Sequence, residues 1–60
     1  MDPNENLKEQ LQLAIALVEV SPNTPNKDDI LHDAQRLAEL VLALDEWING
    51  GGILPKQWRD

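Results

Sequence analysis

The sequence contains no cysteine, no tyrosine and no phenylalanine, and its aromatic content is two tryptophans in 60 residues. Without cysteine there is neither a disulfide nor a thiolate zinc site, so the usual staples of mini-proteins are absent apart from oligomerisation. Basic residues are scarce too: five Lys or Arg stand against eleven Asp or Glu, a formal net charge of -6. Nucleic-acid binding through a broad surface draws much of its free energy from phosphate neutralisation, which this balance disfavours. The longest unbroken apolar run, Leu13 to Val18, is far shorter than the about 20 residues of a membrane span. The opening Met1-Asp2-Pro3-Asn4-Glu5 is acidic and polar, the reverse of a secretory leader. These absences predict a cytoplasmic protein, and the missing cysteines fit a reducing compartment. A chain this short, folding alone, buries only about 60% of its unfolded surface. That argues against an enzyme and for one small domain, residues 1–60, with no cofactor expected.

What is present reads as two helices. Asp2 is a good N-cap, Pro3 suits the first helical position and Glu5 stands at the capping-box site. The first helix is expected from about residue 3 to residue 20. Its main stripe is Leu7, Leu11, Ala14, Ile15 and Val18, and a second stripe of Leu13, Ala16, Leu17 and Val20 takes much of the remaining surface. A helix apolar nearly all round is buried on more than one side.

Ser21-Pro22-Asn23-Thr24-Pro25-Asn26 is turn chemistry: two prolines forbid continuing the first helix. The turn is expected at 21–25, with Thr24 and Pro25 opening a second helix over about 25–49. The early Asp28, Asp29 and Asp33 favour the positive end of that helix's dipole. Its expected stripe is Ile30, Ala34, Leu37, Val41, Leu44 and Ile48, flanked by Leu31, Ala38 and Leu42 and by Leu40, Ala43 and Trp47. Gly50, after Asn49, is the expected left-handed C-cap.

Two antiparallel helices offer each other one partner only, and each has apolar surface to spare. Burying one Leu or Ile is worth roughly 1.5–3 kcal/mol, so leaving the extra stripes in water forfeits stability that a small chain needs. The predicted fold is all-α: a two-helix antiparallel hairpin with a Gly-rich C-terminal tail, 50–60, assembling into a homo-oligomeric helical bundle, in the simplest case four helices from two hairpins. The alternative is a lone hairpin whose tail folds back to cover the gap through Ile53, Leu54 and Trp58.

Three clusters carry candidate chemistry. Asp28 and His32 are four apart and share a helix face, as two-ligand metal sites do, but the chain has no second His, so a solvated helix start is the better reading and no metal is expected. The acids Asp28, Asp29, Asp33, Asp45 and Glu46 form the surface expected to dock on a basic patch of a host protein, unless they are simply solvated. Asp45 and Glu46 oppose the helix dipole, which suggests pairing with Lys56 or Arg59. The tail is the one locally positive segment. Glycine amides of Gly51 and Gly52 can nest an anion, Lys56 and Arg59 can neutralise phosphate and Trp58 can stack on a base, together a nucleotide-sized site at a subunit boundary. The competing reading of the same residues is packing: the glycines stop the helix while Ile53, Leu54 and Trp58 dock on Leu40, Ala43 and Trp47.

Leu44-Asp45-Glu46-Trp47 followed by Gly51-Gly52-Ile53-Leu54-Pro55 and Trp58 resembles the ending of short, mostly uncharacterised helical proteins of bacteriophages and bacteria, in the pattern L-D-E-W-x3-G-G-x-L-P-x2-W. The resemblance covers about residues 37–58 and brings no established activity or site residue with it. It implies a phage or mobile-element accessory protein. By class-level analogy, such a protein inhibits host defence from the host cytoplasm by sequestering a nucleotide signal or blocking a host protein; the third alternative is a structural or regulatory subunit of a larger assembly.

Overall fold

The computed structural model describes residues 1–20 and 27–59. Helix α1 spans Pro3–Val18 and helix α2 Lys27–Asn49, and a short 3₁₀ turn, Lys56–Trp58, follows in the tail. The expected turn at 21–25, with its Thr24 cap, lies outside the described residues.

The start of α1 follows from its sequence. Asp2 is extended, and its Oδ1 accepts from the amides of Asn4 at 2.9 Å and Glu5 at 3.4 Å, while Pro3 fills the first turn without a wasted donor. The helix closes at Val18, two residues before the expected end. Its last amides shift toward a tighter pattern, Glu19 donating to the Ile15 carbonyl and Val20 to that of Leu17.

The helices pack along one side of each other as an antiparallel hairpin. Only Leu7, Leu40 and Leu44 are buried apolar side chains of the helices. Around them Leu13, Ala14, Leu17, Ile30, Leu37, Trp47 and Ile48 are half-buried. This corrects the expected stripes. Leu11, Ile15 and Val18 of the predicted main stripe of α1 are exposed, and Leu13 and Leu17 of the second stripe turn inward. In α2, Ala34 and Val41 point out, and Leu40 and Trp47 take their place.

Polar groups set that rotation. The Asn6 side-chain amide, itself buried, donates at 3.1 Å to the Leu40 carbonyl, and Gln10 donates to Asn6 Oδ1 and, at 3.4 Å, to the same carbonyl. Buried amides need partners. Rolling α1 to bury Leu11 and Ile15 would carry Asn6 and Gln10 away from the acceptor they share.

The molecule is a plate, with principal extents of 42 × 21 × 13 Å and a radius of gyration of 13.4 Å, against about 10 Å for a compact 60-residue domain. Domains normally bury their apolar faces between two packed layers. Here there is one layer.

Candidate functional site

The C-terminal segment is built from the end of α2 outward. Gly51, with φ of +90°, occupies the left-handed position, one residue beyond the expected Gly50. The amide of Gly52 donates to the Trp47 carbonyl at 2.8 Å and that of Gly51 to the Ile48 carbonyl at 3.1 Å, the bond pair of a Schellman cap. Gly50 donates to the Glu46 carbonyl. All three glycine amides are therefore engaged in closing the helix and none is left over for an anion.

The Trp47 indole lies against Gly52, where any Cβ would overlap the ring, and its Nε1 donates to the Ile53 carbonyl at 2.9 Å. The chain then turns back. Pro55 is fully buried, and the Lys56 amide donates to Asn4 Oδ1 at 2.6 Å, so the first turn of α1 holds the start of the 3₁₀ turn. This tail packs, but through different residues from those expected: Ile53 and Trp58 stay largely exposed while Pro55 carries the burial.

The predicted ligand residues divide into three groups. Gly51 and Gly52 belong to the cap. Lys56 lines a groove of about 520 Å³ together with Leu7, Lys8, Leu11 and Ile15. Trp58 borders a smaller hollow of about 180 Å³ with Gln10, Val41, Asp45 and Ile48, and Arg59 is exposed beyond it, its amide bonded to the Lys56 carbonyl. The single anion cradle imagined from the sequence is thus not assembled within one chain. Lys8, unpredicted, lines the same groove as Lys56.

The predicted acidic surface is also divided. Asp28 and Asp29 lie in the first turn of α2 and Asp45 and Glu46 near its end, about 25 Å apart at 1.5 Å per residue. Asp45 accepts from the Asn49 side chain at 3.2 Å, and among the described residues no ion pair joins it or Glu46 to Lys56 or Arg59. His32 is 82% exposed and 3.9 Å from Asp33; among the described residues no three His, Asp or Glu side chains converge to hold a metal. No helix there is long and apolar enough to cross a membrane.

One pairing is not legible in the sequence. Arg36 forms a two-point pair with Glu9, Nε to Oε2 at 2.7 Å and Nη2 to Oε1 at 3.3 Å, and reaches Glu39 at 3.7 Å. The hydrogen bond from Arg36 is the main cause that holds the Glu9 carboxyl below its ordinary value, with a smaller opposing contribution from partial burial and a further charge attraction. Glu9 and Arg36 are 27 residues apart, so only the tertiary register pairs them. The apolar surface that the sequence leaves to spare includes Leu11, Ile15 and Val18 on α1 and Leu31, Val41 and Leu42 on α2, all exposed.

Comparison of the chain with protein-family models, with curated protein sequences and with solved structures gives no match.

Proposed function

We propose that this chain is a non-enzymatic binding protein whose working form is a homo-oligomer of helical hairpins. One observation carries the reading: three apolar helix side chains are buried, whereas Leu11, Ile15, Val18, Leu31, Val41 and Leu42 stand in water on the single hairpin. Exposed apolar surface of that extent on a small chain marks an interaction site. The resemblance of the chain's ending to phage and bacterial accessory proteins extends the proposal to an inhibitor of host defence acting in the host cytoplasm by docking on a host protein. Light scattering or sedimentation tests the core of it. A mass at least twice 6.8 kDa is expected, and a monomer at micromolar concentration would end the reading.

A second reading, capture of a small anionic, nucleotide-like ligand, is favoured by one observation: Lys8 and Lys56 line one groove with Leu7, Leu11 and Ile15, against a single acid, Glu5. A nucleotide panel in a thermal-shift assay checks it, because a ligand at a hundredfold excess over its Kd adds about 2.7 kcal/mol. The absence of any shift would remove it and leave protein docking standing.

A further inference from the structure

We infer that one of the two broad sides of the plate, the side carrying Leu11, Ile15 and Val18 of α1 and Ala34, Ala38 and Val41 of α2, is covered by a second copy of this chain, packed face to face about a two-fold axis. This rests on the oligomeric reading above and deepens it by naming the surface and its occupant.

The two sides of the plate are distinguishable. The Glu9–Arg36 pair bridges the helices on one. Arg36, Glu39, Ala43 and Glu46 recur at spacings of three and four and so form one row on that side of α2; Glu5, Glu9, Gln12 and Ala16 do the same on α1. The rows flanking the other side are Leu11, Ile15 and Val18 on α1 and Leu31, Ala34, Ala38, Val41 and Asp45 on α2. The 3₁₀ turn links these last two rows, Lys56 and Gln57 lying in one groove with Leu11 and Ile15, and Trp58 in one hollow with Val41 and Asp45. They therefore belong to one continuous face.

Area and charge both select a second copy as the occupant. The chain exposes 4731 Å², whereas a compact monomer of its mass exposes about 4,000 Å². The excess is close to the about 800 Å² that each partner contributes to a stable protein interface. A chain carrying a net charge of -6 repels its own copies unless the acids stand clear of the seam. On these rows Glu9, Glu39 and Glu46 are on the Arg36 side; the open side carries Asp45, with Glu19 at its margin beside Ile15 and Val18 and Glu5 in the groove that Lys8 and Lys56 also line. A patch that is apolar and meets itself closes as a two-fold dimer and leaves the Glu9–Arg36 sides outermost.

The test is sedimentation of the full chain and of three variants, with helix content followed by circular dichroism. Ile15→Glu and Val41→Glu place a charge on the seam, while Ala16→Glu places the same charge on the opposite side, one residue from Ile15. Wild type and Ala16→Glu are expected as dimers of equal affinity. Ile15→Glu and Val41→Glu are expected to weaken the dimer at least about tenfold. Loss of helicity in Ile15→Glu but not in Ala16→Glu counts as the same result, because Ile15 is 60% exposed on the single hairpin and only a neighbouring copy makes its charge costly. If Ile15→Glu and Val41→Glu keep the wild-type mass, or if Ala16→Glu loses it equally, the face assignment is overturned and the oligomeric reading survives. A monomeric wild type overturns both.

Discussion

The side-chain amide of Asn6 donates to the backbone carbonyl of Leu40 across the helix interface, a bond between residues 34 apart in sequence. Together with Gln10, which reaches the same carbonyl, it fixes both the rotation of α1 and its register against α2. Asn6→Ala removes one of the two donors to that carbonyl and is expected to cost about 1–3 kcal/mol, because the bond is buried. Asn6→Ala combined with Gln10→Ala should cost less than the sum of the two single changes, since the bond from Gln10 to Asn6 Oδ1 is already lost in either one. Urea denaturation of the three variants measures this, and full additivity would contradict the shared clamp.

The three consecutive glycines are not equivalent. Gly52→Ala forces a methyl into the Trp47 indole and is expected to destabilise by about 1–3 kcal/mol. Gly51→Ala must adopt a left-handed backbone, at about 1–2 kcal/mol. At Gly50 the added carbon would lie 3.3 Å from the Glu46 carbonyl oxygen, a tight contact but no overlap with a ring, so Gly50→Ala is expected to be the mildest. Melting temperatures should rank them in that order, and a Gly52→Ala variant as stable as wild type would refute the indole contact.

Tail docking has two polar anchors that can be removed separately. Trp47→Phe keeps a ring against Gly52 but deletes the bond to the Ile53 carbonyl. Asn4→Ala deletes the acceptor for the Lys56 amide. Each is expected to cost about 0.5–1.5 kcal/mol. In Trp47→Phe, Trp58 becomes the sole tryptophan, so its emission reports whether the tail stays down. In Asn4→Ala, hydrogen exchange at the Lys56 amide should accelerate, and unchanged protection would argue against the cap.

The Glu9–Arg36 pair makes a prediction about pH. The Arg36 hydrogen bond lowers the Glu9 carboxyl below the ordinary 4.5. A depressed carboxyl contributes stability that is fully present above the unfolded value and is lost as the pH falls through the folded one. An NMR titration should therefore find the Glu9 midpoint below 4.5 in wild type and back near that value in Arg36→Gln. Equal midpoints in the two proteins would remove the interaction.

Sequence reasoning was strongest where the cause is local. Asp2 and Pro3 start a helix through short-range donors and a fixed φ, and Asn49 followed by three glycines ends one, so both ends were legible to within two residues. It erred on the left-handed glycine by one position, since Gly50 and Gly51 are chemically identical and only the bonds from Gly51 and Gly52 to Ile48 and Trp47 choose between them. Which glycine amides are engaged was not legible, because that depends on the cap that binds them.

By itself the sequence determined that this chain forms two amphipathic helices with more apolar surface than one hairpin covers. Only the tertiary structure decided which surface is left over. From Leu11 to Val18 the first helix is apolar on nearly every side, and the second has apolar rows beside its main stripe, so periodicity alone assigns no unique inward stripe. The choice fell to long-range polar contacts, Asn6 and Gln10 on the Leu40 carbonyl, Glu9 on Arg36 and Asn4 on the Lys56 amide. A hydrogen bond tolerates far less rotation than hydrophobic burial does, and here it turned Leu11, Ile15 and Val18 outward.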